Sequence, residues 1–484
     1  MTEQILSANG QPVNGQVAHV AGTPPDPPAE LIRTVTPAVP RAVDELHVAA
    51  VLESMGVTDQ SAHDIYRHDD VFALADAVSR TIPAAAGLSA DDDRPAQARP
   101  GDTLRVLTHG LLYLLPCTVY PAVLIALGAP AMIRAMVFST TLGWVWGMGM
   151  STIAYQFAGH GKDRSAGRAL RLLGLAGLAA GLLTGTLLAV TGPGGRGMVA
   201  FAVGQISFQL MAGVLVFYGH EFRLALTMLP ASAAGVALLL SRYAPALVRP
   251  TLVAGGLSIL LLTVTAFVTS MRAPARPDSP GKVSLWRTIA GAAPSVYYAA
   301  LCATFLLLTD ARFLVGQVDL AIAALPLILG MGMLEWSAHR FTGKVGELWG
   351  HTAMCADFGR AAWRLLIEGL ARCLAVLGAL AAVLLVILRE SGELSTRGAM
   401  LIDAHVLLGG AFFLGFILAR HQQFSRLLMI MSLVVAADVL MLPWASRHLA
   451  PDGEVPVFLL CTAVLLISQL IALRASFRRV FYYL

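Results

Sequence analysis

The sequence predicts an all-helical membrane protein with about twelve transmembrane helices in two six-helix lobes, preceded by a small helical module. Of its 484 residues, 56% are hydrophobic and 13% are charged, whereas soluble domains carry about 25% charged residues. Apolar runs long enough to cross a bilayer recur from residue 104 to the end of the chain. Lys and Arg concentrate in alternate connections between these runs, as they do in multi-pass membrane proteins.

The charge balance excludes several other classes of protein. Lys and Arg total 34, Asp and Glu total 30, and the formal net charge is +4. We therefore expect no nucleic-acid partner, because nucleic-acid binding requires a marked excess of basic residues. A soluble enzyme of this size would expose more apolar surface than it could keep in solution.

The cysteines and histidines predict no metal and no cofactor. No pair has the sequence spacing of metal ligands, and we expect the cysteines to be small buried apolar residues. The five cysteines are Cys117, Cys302, Cys355, Cys373 and Cys461.

The first hundred residues differ in composition from the rest of the chain. Residues 1–40 are rich in Pro and Gly, have no apolar periodicity, and are predicted to be a disordered tail without a signal peptide. Residues 41–83 have apolar positions at helical spacing and predict a small cytoplasmic helical module, which could bind a cytoplasmic protein partner. Residues 84–103 form a polar linker.

The apolar runs after residue 103 divide into two sets of six. Residues 104–271 form the first lobe, 272–287 a cytoplasmic linker between the lobes, and 288–484 the second lobe. The predicted spans are 104–128, 131–156, 169–191, 198–219, 223–242, 250–271, 288–310, 318–338, 365–388, 399–419, 425–443 and 455–475.

The basic residues predict the orientation of the helices. If the N-terminus is cytoplasmic, the basic connections at 162–171, 272–287 and 340–364 all lie on the inner side. The positive-inside rule then places both termini in the cytoplasm of a multi-pass protein of the cell membrane. An odd number of helices would destroy this pattern.

A short repeat connects the two lobes. Gly167-Arg168-Ala169 follows the second predicted helix, and Gly359-Arg360-Ala361 follows the eighth. Each is followed by a further arginine (Arg171 and Arg364), two leucines and a helix rich in small residues. Transporters are often built from two such structural repeats, and arginines at these positions would fix the depth of the following helix by snorkelling.

The segment STIAYQFAGHGKDRSAGRALR (151–171) resembles the multidrug/oligosaccharidyl-lipid/polysaccharide exporter superfamily. The branch that moves polysaccharides and lipid-linked oligosaccharides is the most similar. The resemblance implies two six-helix lobes around a central cavity, with alternating access to the two sides of the membrane. It covers residues 104–484 in topology, and residues 1–103 lie outside it.

One feature departs from that superfamily. Its cation-coupled drug exporters generally carry an acidic residue in the first helix of a lobe. Helix one of this chain has no acid, and His109 is its one titratable residue near the membrane interior. This departure favours the flippase-like branch over drug efflux.

Polar residues within the spans are the candidates for substrate binding or coupling, because an ionised side chain costs about 3 kcal/mol or more there. Asp310 and Arg312 lie at the outer end of helix seven. They could form an ion pair at the outer surface, or a gate or cation site at the mouth of the cavity. Asp438 has no partner near it in sequence. The eight candidates are Asp310, Arg312, Glu335, Asp438, Asp403, His109, Gln205 and Gln209.

Some of these candidates also have structural interpretations. Glu335 and Asp403 could be solvated at the membrane interfaces, and His109 could be a neutral hydrogen-bonded residue. Gln205 and Gln209 could bind sugar hydroxyls or join neighbouring helices. Glu368 and Arg372, one turn apart on helix nine, are predicted to pair with each other.

These observations predict a transporter rather than an enzyme, and more specifically an exporter of a polysaccharide precursor or lipid-linked saccharide that acts within the lipid bilayer. Alternatives are a multidrug exporter, a scaffold that recruits its partner through residues 41–83, or an enzyme of polyprenyl-linked glycan assembly. An enzyme would need its active site in a polar extramembrane connection. The longest predicted connection, 339–364, contains Glu347, His351 and Asp357.

Overall fold

The protein is described by a computed structural model. The described residues are 29–35, 45–81, 109–273, 278, 284–313, 317–349, 355–421, 423–448 and 453–477. They form helices and connections, with no β-strand among them. The chain divides into two compact units, Met1–Gln97 and Ala98–Leu484.

The N-terminal unit contains four short helices around a small apolar core. They are α1 (Ala29–Val35), α2 (Glu45–Ser54), α3 (Asp59–Asp64) and α4 (Val71–Thr81). Val35, Leu52 and Leu74 are fully buried in this core. Helix α1 differs from the disordered tail predicted over residues 1–40, because Val35 contributes an apolar side chain to the module. The other residues of that tail lie outside the described residues.

Lobe one contains the first six membrane helices. Helix one is interrupted: α5 and α6 are separated by a 3₁₀ segment, Leu115–Val119, in which Pro116 cannot donate an α-helical backbone hydrogen bond. The elements are α5 (His109–Leu114), α6 (Tyr120–Leu127), α7 (Ala129–Gly159), α8 (Asp163–Val190), α9 (Gly195–Phe217), α10 (Glu221–Leu240) and α11 (Pro245–Arg272).

Lobe two repeats this arrangement. A short additional helix, α13, lies between its helices seven and eight. The elements are α12 (Leu285–Phe313), α13 (Val318–Ala321), α14 (Leu325–Trp349), α15 (Cys355–Glu390), α16 (Thr396–Arg420), α17 (Phe424–His448) and α18 (Glu454–Phe477). The connection predicted at 339–364 is shorter, because α14 continues to Trp349 and α15 already begins at Cys355.

The described residues contain eleven segments that are long and apolar enough to cross a membrane. Helix α7 is also long, at 31 residues, but it is not among the eleven. It is rich in Gly, Ser, Thr and Trp, and it packs against α8, α9 and α12. The all-helical, multi-span fold predicted from the sequence is confirmed.

Each lobe has its own apolar core. The main core of lobe one contains buried residues from Leu112 to Ala266, and that of lobe two contains residues from Tyr298 to Phe477. The lobes make their principal contacts through two helix pairs, α5 with α14 and α7 with α12. The first pair is helix one with helix eight, and the second is helix two with helix seven. Because helices one and seven are equivalent in the two repeats, as are helices two and eight, the two contacts are related by the repeat.

The Gly-Arg-Ala repeat has a steric explanation. A Cβ atom on Gly359 would lie 2.9 Å from the carbonyl oxygen of Phe477, in the last turn of α18. A Cβ atom on Gly167 would lie 3.0 Å from the Tyr218 hydroxyl and 3.7 Å from the carbonyl oxygen of Ser270, near the end of α11. Glycine therefore lets the third helix of each lobe approach the end of the sixth.

A second arginine contact also recurs in both lobes. Arg223, in the first turn of α10, donates to the Thr269 hydroxyl at 3.2 Å. Arg426, in the first turn of α17, donates to the Ser476 hydroxyl at 2.8 Å. Both guanidinium groups therefore join the start of a lobe's fifth helix to the end of its sixth.

The predicted match between Arg171 and Arg364 is wrong by one residue. Arg171 lies four residues after Gly167 and donates to the carbonyl oxygen of Ser270 at 2.7 Å. The residue four after Gly359 is Trp363, whose ring receives the Arg474 guanidinium at 5.6 Å. Arg364 is exposed, because one additional residue rotates a helical side chain by about 100°.

Asp278, in the segment between the lobes, caps the N-terminus of α8. Its carboxylate accepts hydrogen bonds from the Arg164 amide at 3.0 Å and from the Ser165 hydroxyl at 2.6 Å. The Ser165 hydroxyl, followed by the backbone amides of Ser165 and Arg164 and the charge of Lys162, lowers the pKa of Asp278. A carboxylate at a helix N-terminus satisfies free amides and complements the helix dipole.

We expect Asp278→Ala to increase amide hydrogen exchange in the first turn of α8 severalfold at neutral pH, because its amides lose their acceptor. A lowered pKa contributes stability above the unfolded pKa, and this stability is lost as the pH falls through the folded pKa. The wild-type first turn should therefore open only below the ordinary pKa of aspartate. Exchange measured by mass spectrometry in both proteins checks this prediction, and equal protection at neutral pH would contradict it.

Candidate functional site

The most distinctive polar contact of lobe two joins two helices within the membrane. His405 on α16 is fully buried, and its Nε2 lies 3.1 Å from Oδ2 of Asp310 on α12. The other ring nitrogen, Nδ1, lies 2.7 Å from the carbonyl oxygen of Leu401. Because that carbonyl can only accept, Nδ1 carries a proton. Nε2 then either accepts a hydrogen bond from a protonated Asp310 or, as part of an imidazolium, donates a hydrogen bond to the Asp310 carboxylate.

The second oxygen of Asp310 lies next to this contact. Its Oδ1 is buried and has no hydrogen-bond partner among the described residues. On the other side of the imidazole, the His405 ring contacts the Phe458 ring at 5.7 Å between centroids. The His405 ring therefore packs against an aromatic ring, while Oδ1 of Asp310 can still accept a hydrogen bond.

Asp319 holds the start of helix ten. It is completely buried, and its Oδ2 accepts hydrogen bonds from the Ser395 amide at 2.8 Å and from the Ser395 hydroxyl at 2.5 Å. Ser395 in turn caps α16 by accepting from the Gly398 amide. Asp319 therefore fixes the N-terminus of α16 to the short helix α13.

Asp438 is completely buried on α17. Its carboxylate interacts with the Cys461 thiol on α18. The Cys461 thiol is a neighbour that sequence reasoning did not identify. The described acidic residues that are fully buried, Asp319 and Asp438, both belong to lobe two.

Two other predicted acids lie in less enclosed positions. Asp403 is on the exposed side of α16, two residues before His405. Glu335 is half-buried on α14 and interacts electrostatically with Tyr113 on α5. Glu335 therefore lies at the contact between the two lobes, whereas Asp403 is separated from the buried pair.

The glutamines of helix four bind neighbouring helices. Gln205 Oε1 accepts from the Tyr120 hydroxyl at 3.0 Å, and its Nε2 donates to the Thr140 hydroxyl at 3.4 Å. Gln209 lies against Gly143, and its Oε1 is buried without a hydrogen-bond partner among the described residues. Gln205 thus joins helices one, two and four.

The remaining predicted residues have separate positions. Glu368 and Arg372 pair on α15 at 2.5 Å, as their spacing predicts. Gly167, Arg168, Gly359 and Arg360 lie at the starts of the third helices of the two lobes. The side chains of Arg312 and His109 lie outside the described residues, so the predicted Asp310–Arg312 pair stays a prediction.

The Asp310–His405 contact is absent from the site predicted by sequence. Asp310 is one of the eight candidates from the sequence, whereas His405 is not among them. The two residues are 95 positions apart, and no local pattern indicates that their helices meet. An imidazole in an apolar helix was the single available signal, because such a group normally needs a hydrogen-bond partner.

Comparison with known proteins finds similarity at the level of structure. No family model matches the chain, and no curated protein matches it. A solved structure named "protein A" aligns with a TM-score of 0.51 at 12% identity, covering 80% of this chain and 97% of that chain. At this level of identity the similarity shows the fold alone.

Two other solved structures resemble the chain. One is an outward-facing multidrug resistance MATE family transporter of the MOP superfamily, with TM-score 0.48, 11% identity and coverage of 78% of this chain and 96% of that chain. The other is a MOP superfamily transporter from Pyrococcus furiosus, with TM-score 0.48, 13% identity and coverage of 78% and 97%. The superfamily named from the sequence thus occurs among the structural neighbours, while the flippase-like branch stays a prediction.

Proposed function

We propose that this chain is a membrane transporter in which two lobes alternate access to a central path, coupled to proton uptake at the Asp310–His405 pair. The observation that carries the proposal is this buried pair, which joins helices seven and ten of one lobe. Removal of either partner would change how the other holds a proton. The pair can therefore link a change of protonation to a change in the position of helix seven.

The contacts between the lobes support movement of this kind. Each lobe is held by its own core, so the lobes can move as separate bodies. Where they meet, a glycine often lies on one side: a Cβ atom on Gly110 would lie 2.3 Å from the Leu329 carbonyl oxygen, and one on Gly149 would lie 3.1 Å from Val296. Flat, small-residue surfaces allow two helices to approach and separate without interdigitated side chains.

As substrate class we propose a lipid-linked saccharide or polysaccharide precursor. Support comes from helix one, which has no acidic residue for a cationic drug. Further support comes from the contact between α5 and α14, because these two candidate membrane helices form a boundary between the lobes. The enzyme alternative is less favoured, because α14 and α15 occupy most of the connection predicted at 339–364. Little polar chain remains there for an active site.

A cellular assay tests the substrate class. In cells that lack this protein, we expect a lipid-linked saccharide to accumulate on the cytoplasmic leaflet, where it stays inaccessible to a glycosidase added outside. Mass spectrometry of extracted lipids measures the accumulation, and cells restored with the wild-type gene are the control. An unchanged lipid-linked saccharide pool, together with increased retention of a cationic dye, would replace this substrate class by drug efflux.

A further inference from the structure

A cleft opens between α14 and α15 at the basic end of lobe two, which the sequence predicts to face the cytoplasm. Its volume is only about 10 Å³, so a ligand would bind at its open mouth, where the Arg340 side chain is exposed. The cleft is distant in sequence from the Asp310–His405 pair and shares no residue with it. The polar and aromatic residues that line it are Ser337, Arg340, Phe341, Lys344, Glu368 and Arg372.

A tryptophan holds two arginines of the cleft in place. The Arg340 guanidinium lies 5.1 Å from the centre of the Trp336 ring, and the Arg372 guanidinium lies 5.7 Å from it. Cation–π contacts of this length are attractive and restrict an otherwise flexible side chain. Both positive charges therefore lie beside the same aromatic ring, and an anion that contacts either guanidinium would be stabilised by its charge.

The charges of the cleft do not cancel. Arg340, Lys344 and Arg372 contribute three positive charges, whereas Glu368 contributes one negative charge and is bonded to Arg372. Ser337 is 2% exposed, and its hydroxyl contacts the Cys373 thiol. The cleft thus presents several hydrogen-bond donors and a net positive charge, which suits the oxygens of a phosphate group.

The position along the helix indicates the depth of the cleft. Helix α15 extends from Cys355 to Glu390 and is longer than the hydrocarbon core requires. Arg372 is 18 residues before Glu390 (390 − 372), which corresponds to ~27 Å at ~1.5 Å per residue. With Glu390 at the outer membrane surface and a hydrocarbon core about 30 Å thick, the predicted orientation places Arg372 near the inner boundary of the core, from which a long side chain can reach lipid phosphates.

We propose that this cleft binds the phosphodiester of an anionic membrane lipid, with Arg340 and Arg372 as its ligands and Trp336 as their support. A lipid is the favoured source of the phosphate because Phe341 and Leu365 add apolar surface to the lining. The cleft shares no residue with the Asp310–His405 pair. Its residues on α15 belong to a helix that contacts helices eight, ten and twelve of lobe two, whereas α14, which carries Arg340 and Trp336, also contacts α5 of the other lobe.

Native mass spectrometry of the full-length protein tests this proposal. In micelles that contain phosphatidylglycerol or phosphatidylcholine, we expect the wild type to retain phosphatidylglycerol preferentially. The double variant Arg340→Gln/Arg372→Gln should retain it about tenfold less, because two charge-assisted contacts are lost. Glu368→Gln should increase retention, because it removes a carboxylate that competes with the phosphate for Arg372.

Arg364→Gln is the matched control, because Arg364 is exposed on the same helix and does not line the cleft. It should retain phosphatidylglycerol as the wild type does. Equal retention of the two lipids by the wild type would overturn the proposal, even if the double variant does not fold. An equal loss in the Arg364→Gln variant would overturn it as well, as would displacement of the lipid by an equal concentration of inorganic phosphate.

Discussion

Replacement of Asp310 by asparagine is expected to reduce transport by about tenfold or more at unchanged protein level, since a step that needs a protonatable group becomes limiting. Asparagine has nearly the same size and keeps one oxygen as an acceptor, so the packing around α12 should persist. Its amide cannot take up a proton in exchange with His405. The same variant should therefore lose the dependence of transport on an imposed proton gradient.

Transport into proteoliposomes with and without a pH gradient measures this effect. Asp403→Asn is the matched control, because Asp403 lies on the same helix as His405 but on its exposed side. It should transport like the wild type. His405→Gln provides a second variant that keeps a donor for the Leu401 carbonyl oxygen. Wild-type transport and gradient dependence in both Asp310→Asn and His405→Gln would remove this pair from the mechanism.

The substitution Gly110→Ala is expected to separate the lobes along the contact between α5 and α14. A Cβ atom at this position would lie 2.3 Å from the Leu329 carbonyl oxygen and 2.7 Å from that of Ile328. Both atoms belong to the backbone, so no side-chain rotation can relieve the overlap, and the two helices must move apart. We expect fewer molecules to adopt the arrangement in which α5 and α14 are in contact. A free-energy bias of roughly 1.4 kcal/mol or more against this arrangement would reduce transport by about tenfold or more.

Spin labels on α5 and α14 measure the separation directly, because their distance distribution should shift to longer values in the variant. Gly204→Ala is the control: it lies inside helix α9, and a Cβ atom there would have no neighbour within 4 Å. Since alanine is favoured over glycine in a helix by about 1 kcal/mol, the control should be neutral or slightly stabilising. Unchanged label distances in Gly110→Ala would mean that this contact does not gate the lobes.

Local sequence patterns were sufficient to predict most of the membrane fold. Long apolar runs predict helices because each backbone polar group must be bonded within its own segment in lipid. Helix α7 shows the limit of this rule, because it is long and helical but is not among the eleven segments that are apolar enough to cross a membrane. The interruption of helix one at Pro116 also follows from local chemistry, since proline cannot donate a backbone hydrogen bond.

The repeat shows where counting along the sequence fails. Gly167 and Gly359 were correctly matched, and each lies close to the end of its lobe's sixth helix. The second arginine was not correctly matched, because equivalent positions on helices are fixed by rotation rather than by residue type. Trp363 therefore replaces Arg171 at the equivalent position, and Arg364 is exposed.

The composition and charge distribution by themselves determine that this protein is a multi-helix membrane protein, because these properties arise from interactions of each segment with lipid and water. The pairing of side chains is decided only by the tertiary structure. Asp310 and His405 meet because helices seven and ten pack together, and Trp336 supports Arg340 and Arg372 because α14 lies beside α15. Contacts between residues far apart in sequence depend on which helix faces pack together, and hydropathy does not specify this choice.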